Sequence, residues 1–291
     1  MTRRAFVLAL LLAALPARAK GRRFDHGLLW RIEKQGIAPS HVFGTIHVAD
    51  ARLAELPGVV RQRFDAAKSL MLEFVPDAYS RERFLEASMF LDRQTLEEKI
   101  GAQDFERALE VLAPIGLPRE VVNKLKPWGV LLNLRNPGRA EQGTPLDVRL
   151  AELARERRLP LSQIEGVEEQ IFTFDEFPME SQVALLKHSL AHRGELTELA
   201  ERTLQAYLER DLAAIWRLRE QFAVRHPQIA AHQAAMTKRV VHDRSVVMAF
   251  RMQRQLRRGE AFVALGALHL YGDKGVLALL EDDGYRAERV F

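Results

Sequence analysis

The feature that most restricts how this chain can fold is a pattern that occurs twice. Val42-Phe43-Gly44-Thr45-Ile46-His47-Val48 and Ala264-Leu265-Gly266-Ala267-Leu268-His269-Leu270 share one layout. Each begins as a buried strand, then has a glycine, two small or apolar residues, and a histidine where the strand gives out. The histidines stand 222 positions apart. Two such half-units can face each other in a pseudo-symmetric sheet. In open α/β sheets ligands bind beyond the carboxyl ends of the strands, and both histidines are expected there.

The intervening sequence supports an α/β class. Gly27 to Ile32 and His41 to His47 read as strands joined by a Gly/Pro-bearing turn, Gln35 to Ser40. Leu56 to Ala67 has helical spacing, with Val59, Val60, Phe64 and Ala67 on one side. Ser69 to Val75 is a short apolar run interrupted by Glu73. Strand, helix, strand in this order predicts a parallel βαβ unit. Tyr79 to about Leu150 is helical in pattern, a helix starts near Leu146, and Leu159 to Ile164 is a further strand. Val167 to Arg258, rich in Ala, Leu, Glu, Gln and Arg, repeats helical periodicity. The end returns to strand (Ala261 to Gly266), helix (Gly275 to Glu281) and strand (Gly284 to Phe291). The expected architecture is one α/β domain with a mixed central sheet and a large helical insertion.

The first residues predict export. Arg3 and Arg4 precede the apolar run Ala5 to Leu15, which ends in Pro16 and Ala17-Arg18-Ala19. These are the three parts of a cleavable leader, and the run is shorter than the ~20 residues that span a bilayer. Residues 1–19 are therefore read as a signal peptide, with residues 20–291 as the mature domain in the periplasm or outside the cell. No stable membrane insertion is expected after cleavage. Thr2-Arg3-Arg4-Ala5-Phe6-Val7 also fits a twin-arginine signal, so the export route stays open. Losing Arg3, Arg4 and Arg18 takes the formal charge from +4 to +1. A near-neutral chain argues against nucleic acid as partner. Cysteine is absent, so neither disulfides nor a lipid-modified cysteine holds this exported chain, and an ordinary core must.

Singly, a strand-end histidine is an ordinary packed or solvated residue. The matched pair, together with Glu73 in an otherwise apolar strand, points further. Charged groups are rarely buried unless paired or metal-bound, and a glutamate converging with two imidazoles is the composition of a divalent-metal site. His188 and His192, four apart in a helix, share a face. No glutamate follows the first of them as in zinc-protease helices, and they are expected on a solvated face. Glu168 and Glu169 suit a helix start and Arg254, Arg257 and Arg258 a helix end. No serine-hydrolase elbow or phosphate-cradling glycine loop is present.

Phe43 to His47, the strand ending in Leu72-Glu73, Ile164-Glu165-Gly166-Val167-Glu168-Glu169-Gln170, Gly266 to Leu270, and the terminal Gly272, Gly275-Val276-Leu277, Leu280 and Gly284-Tyr285 occur in one order. In that order they resemble the TraB/PrgY/GumN family over essentially the whole mature chain. Its animal relatives, the TIKI proteins, are metal-dependent proteases whose active site is two Gly-x-x-His motifs and a glutamate. The resemblance thus implies His47, Glu73 and His269 as metal ligands and Glu73 as ligand or general base. Manganese or cobalt is implied by the same likeness, and zinc is allowed by ligand type. A family Arg-Asn pair corresponds here to Arg244-Ser245; the arginine matches and the amide does not. Arg244 is expected to hold an anionic group or to orient Glu73. The implied activity is metal-assisted hydrolysis of a peptide or small molecule. The alternative is a binding protein that sequesters a peptide or metal in the same cleft, since some members are associated with pheromone shutdown or polysaccharide gene clusters. The leader reading predicts that protein recovered from an exporting host starts at or near Lys20. N-terminal mass analysis checks this, and an intact Met1 on the exported form would refute it.

Overall fold

A computed structural model describes residues 24–75, 77–134 and 143–291; the expected leader, 1–19, lies outside the described residues. Six strands form one mixed sheet: β1 (Leu29–Lys34), β2 (Ile37–Thr45), β3 (Ser69–Leu72), β4 (Leu161–Gln163), β5 (Ala261–Gly266) and β6 (Arg286–Arg289). Their order across the sheet is β4-β3-β5-β2-β1-β6. The four strands from β4 to β2 run parallel, while β1 is antiparallel to both β2 and β6. The hairpin between β1 and β2 turns at Gln35-Gly36, where Gly36 has φ 78°, a left-handed conformation in which glycine carries no side-chain penalty.

Both Gly-x-x-His strands lie at the centre. β2 pairs with β5, Gly44 opposite Leu265 and Thr45 opposite Gly266. Beyond their ends the two chains differ. After Thr45 the backbone continues without regular structure through His47, whereas after Gly266 it winds into a 3-10 turn, Ala267–His269. β2, the helix Gly58–Ala66 and β3 are parallel in the expected sense, but they are not a closed βαβ pair, because β5 inserts between the two strands. The expected strand-helix-strand unit is thus present, with a strand from near the end of the chain between its two strands, a placement that leaves no mark in local periodicity.

Every residue of β5 is buried, as expected of a parallel strand covered on both faces. Phe262 packs edge-on against Phe64 of the helix Gly58–Ala66 and tilted against Phe43 of β2. Met248, Met252 and Leu256 of the helix Arg244–Leu256, Leu150 and Ala154 of the helix Leu146–Glu156, and Leu277 and Leu280 of the helix Val276–Asp282 join the same core. The helices between β4 and β5, from Val167–Asp175 to Arg244–Leu256, are the expected helical insertion. Part of it keeps its own apolar cluster, Phe177, Leu185, Phe222 and Ile229. Among the described residues no helix is long and apolar enough to cross a membrane.

The first motif glycine is required by packing. A Cβ on Gly44 would lie 2.8 Å from Leu270 Cδ1 and 3.0 Å from the Ala267 Cα, so the 3-10 turn after β5 sits directly against the β2 backbone. Gly44→Ala should therefore cost about 1–3 kcal/mol, the usual penalty for overpacking a tight core. Urea unfolding of the two proteins measures it, and an unchanged midpoint would contradict the packing described.

Candidate functional site

The carboxyl ends of β2, β3, β4 and β5 meet at one edge of the sheet. The first residues past β3 and β4 keep the ladder going. Glu73 donates its N–H to Ala264 O at 2.9 Å, Ile164 donates to Leu72 O at 2.8 Å, and Glu165 donates to Glu73 O at 3.0 Å. Glu73 and Glu165 are thereby neighbours, both buried. Two carboxylates so placed need a cation, and Arg244, at the start of the helix Arg244–Leu256, supplies it. Arg244 Nε donates to Glu165 Oε1 and Oε2 at 3.1 and 3.0 Å, and Nη2 donates to Glu73 Oε1 and Glu165 Oε2. Nη1 faces Val240 O at 3.4 Å. All three nitrogens of the guanidinium thus face protein acceptors, with Glu73 and Glu165 both bonded to it.

The other Glu73 oxygen, Oε2, accepts from Gly266 N–H at 2.9 Å and stands 3.8 Å from His47 Nε2. Burial alone would raise the Glu73 carboxyl. The nearby His47 imidazole and Arg244 guanidinium, with His269, outweigh it and hold the group well below the ordinary 4.5. Gly266 is the point on which the expected trio converges. A Cβ there would lie 3.4 Å from Glu73 Oε2, 3.4 Å from His269 Cδ2 and 3.5 Å from His47 Nε2. The structure therefore brings His47, Glu73 and His269 together around the missing side chain of the second motif glycine.

Each imidazole is held by its Nδ1. Asp147, in the first turn of the helix Leu146–Glu156, bonds His47 Nδ1 through Oδ2 at 2.7 Å and accepts from Thr45 Oγ1 through Oδ1 at 2.7 Å. His269 Nδ1 is 2.9 Å from Ser245 Oγ, whose single proton is given to Val241 O at 2.7 Å. The hydroxyl can then only accept from the ring, so Nδ1 of His269 carries the hydrogen and Nε2 a lone pair. Ser245, standing where the family pattern has asparagine, thus does orienting work with a hydroxyl. Ser245 and Arg244 follow a π-helical stretch, Lys238–Asp243, which supplies Val240 O and Val241 O as acceptors. Wide turns of this kind recur beside functional sites.

The two imidazoles differ in charge. The Asp147 carboxylate outweighs burial and, with Glu73, raises His47 well above the ordinary 6.5. Burial pushes His269 down to about 4. The His47 side chain is 59 % exposed while His269 is 4 % exposed, so the site meets solvent on the His47 side. The side chains gathered here are two imidazoles, each anchored through Nδ1 by an outer partner, and one carboxylate, donor types that a divalent ion can take.

The sequence did not single out Asp147, Glu165 as a charge partner, or Tyr207, whose hydroxyl donates to Gly44 O at 2.8 Å from inside the helical insertion. Glu165 lay within a motif segment, and Asp147 followed Pro145 at a helix start, but neither position distinguishes an orienting carboxylate from a solvated one. His188 is a correction. It is buried, 7 % exposed, and its ring lies against His192 and against His226. The expected solvated face fails because periodicity shows which residues share a helix face but not what packs on it. His188, His192 and His226 form a group that could hold a metal ion.

These features define a mixed α/β protein with a His/His/carboxylate pocket at the carboxyl edge of its parallel strands. The chain belongs to the TraB/PrgY/gumN family, whose sequence profile matches residues 28–289. Among similar proteins are two described as uncharacterized protein YbaP. The one from Shigella flexneri is 23% identical over 247 residues, covering 83% of this chain and 87% of its own length. The one from Escherichia coli K12 is 22% identical over 246 residues, covering 82% and 87%.

A divalent ion can bind only neutral His47, so binding at pH 7 should release about one proton, chiefly from this ring, while His269 has none to lose. The release should persist at any pH below the raised value of His47 at which the ion still binds, and vanish above it, where the ring is already neutral. Asp147→Asn removes the main cause of the raised value and should cut the release at pH 7 towards zero. Calorimetry in buffers of different ionisation enthalpy measures it, and equal release from both proteins would refute the assignment.

Proposed function

We propose that this chain is an exported, metal-dependent hydrolase, peptidase-like, with its site at His47, Glu73 and His269. The observation that supports this best is their convergence on Gly266 with both rings anchored through Nδ1. A bound divalent ion would polarise a substrate carbonyl and acidify water, lowering its pKa from 15.7 to about 7. Imidazole and carboxylate donors suit zinc, manganese or cobalt.

His269 is ready to coordinate as a neutral ring, and His47 becomes so by yielding its proton. Glu73 is read as a ligand. Its carboxyl is held well below the ordinary value in the free protein, so it stands ionised, as a ligand carboxylate must. Arg244 and the Gly266 N–H fix its two oxygens. Substrate would enter from the exposed His47 side. The choice of a peptide rests on the likeness to the TIKI proteases, and the periplasmic or secreted location rests on the leader.

Glu73→Gln should lower metal affinity and hydrolysis together, because a neutral amide is a poorer partner for a divalent ion; hydrolysis should fall at least ~10²-fold. Retained metal affinity with lost hydrolysis would instead make Glu73 the base. Metal titration and a peptide-library cleavage assay on wild type, Glu73→Gln and His47→Ala, with folding checked by circular dichroism, decide this. A wild-type protein that binds no metal, yet holds a peptide without cutting it, would overturn the hydrolase and leave a sequestering protein.

A further inference from the structure

The second histidine cluster lies where two helix corners meet. His188 is on the helix Met179–Ala191, and His192 joins that helix to Arg193–Leu208. His226 joins Leu212–Arg225 to Pro227–Thr237. One ring nitrogen from each lies within 4.8 Å of the others. The rings are 4.0 Å apart for His188 and His192, 4.5 Å for His188 and His226, and 4.8 Å for His192 and His226. His188 and His226 are buried, and His192 is partly exposed.

On each ring one nitrogen is engaged by an outer partner. His226 Nε2 is 3.0 Å from Glu195 Oε2, and a carboxylate oxygen can only accept, so the hydrogen sits there and Nδ1 has the lone pair. His192 Nδ1 likewise donates to His188 O at 3.0 Å, leaving Nε2 as the lone pair. His188 Nδ1 is 3.4 Å from the Gln228 side-chain amide, and its Nε2 is buried with no hydrogen-bond partner. Turning the Gln228 amide over lets Nδ1–H donate to its oxygen, and the orphaned Nε2 becomes a third lone pair. A buried lone pair without a donor is costly, and at His188 Nε2, with an imidazole of His192 and of His226 beside it, a cation would satisfy it.

We propose that His188, His192 and His226 form a second metal site, separate from the hydrolase pocket, that takes one zinc-class divalent ion and ties the two helix corners together. Three imidazoles select zinc and its transition-metal neighbours over magnesium or calcium, which prefer oxygen. Metal–nitrogen bonds of about 2.0–2.1 Å in tetrahedral geometry require nitrogens about 3.3 Å apart. Binding therefore requires the three ring nitrogens to draw together from their present limit of 4.8 Å. Glu195 behind His226 is the outer carboxylate that such ligands usually carry. Phe222, 4.3 Å from the His226 ring and 6.0 Å from that of His188, provides the apolar wall.

The test uses the mature chain stripped with a chelator and titrated with zinc, on a His47→Ala background that weakens the first site. One tight zinc should remain, and it should raise the thermal midpoint. Adding His192→Ala should abolish both effects, and adding Glu195→Gln should weaken binding about 10–100-fold. Unchanged zinc affinity after His192→Ala overturns the second site. Should that variant fail to fold, unchanged affinity in the Glu195→Gln protein overturns it equally. A wild-type stoichiometry of one, lost with His192→Ala but not with His47→Ala, would sink the hydrolase pocket as a metal site while leaving this one standing.

Discussion

The arrangement depends on one buried ion group, the Arg244 guanidinium lying between Glu73 and Glu165. Two carboxylates at adjacent strand ends would repel each other and resist burial, and neither could stay ionised without compensation. A lysine would give one charge on a flexible stem. The arginine fork reaches both acids at once and fixes their directions. Such a group adds little net stability over an apolar core of the same shape, but losing one member leaves the others exposed to the full cost, about 3–5 kcal/mol in comparable cases. Its value here is directional. With Oε1 of Glu73 taken by Arg244, Oε2 is left facing Gly266 and His47.

The helix that carries Arg244 performs a second task with the next residue. Consecutive side chains of a helix point about 100° apart, so Arg244 and Ser245 reach different targets, the acid pair and His269. Each also bonds the carbonyl four residues back, Val240 O and Val241 O, in the π-helical turn that precedes them.

Much of this was legible before any coordinates. The strand-end glycines, both histidines, Glu73 and the arginine were visible because each breaks an apolar or periodic background at a strand end or sits in an ordered motif. The strand and helix segments near both ends of the described residues also match closely, as with Ala261–Gly266. What stayed hidden was long-range. The insertion of β5 between β2 and β3 is a pairing choice made across the chain. Asp147 and Glu165 look like any acid near a helix start until the sheet places them beside His47 and Arg244. His226 lies 34 positions beyond His192, and the corner that brings them together is set by helix packing, which leaves no spacing rule.

The central pairing of β2 with β5 also determines when the pocket can exist. One wall comes from near residue 47 and the floor and other wall from residues 266 to 269, so the chain must close a loop of more than 200 residues before any of the three groups meet. Loop closure of that length is paid before it is rewarded, and sheets built this way form slowly. A chain still being synthesised, or cut short before β5, can make its helices and the first hairpin yet lacks the middle strand of the sheet. It can neither gather the ligands nor display a partial version of them. Completion of the polypeptide is thus itself the checkpoint on assembly of this site, imposed by topology.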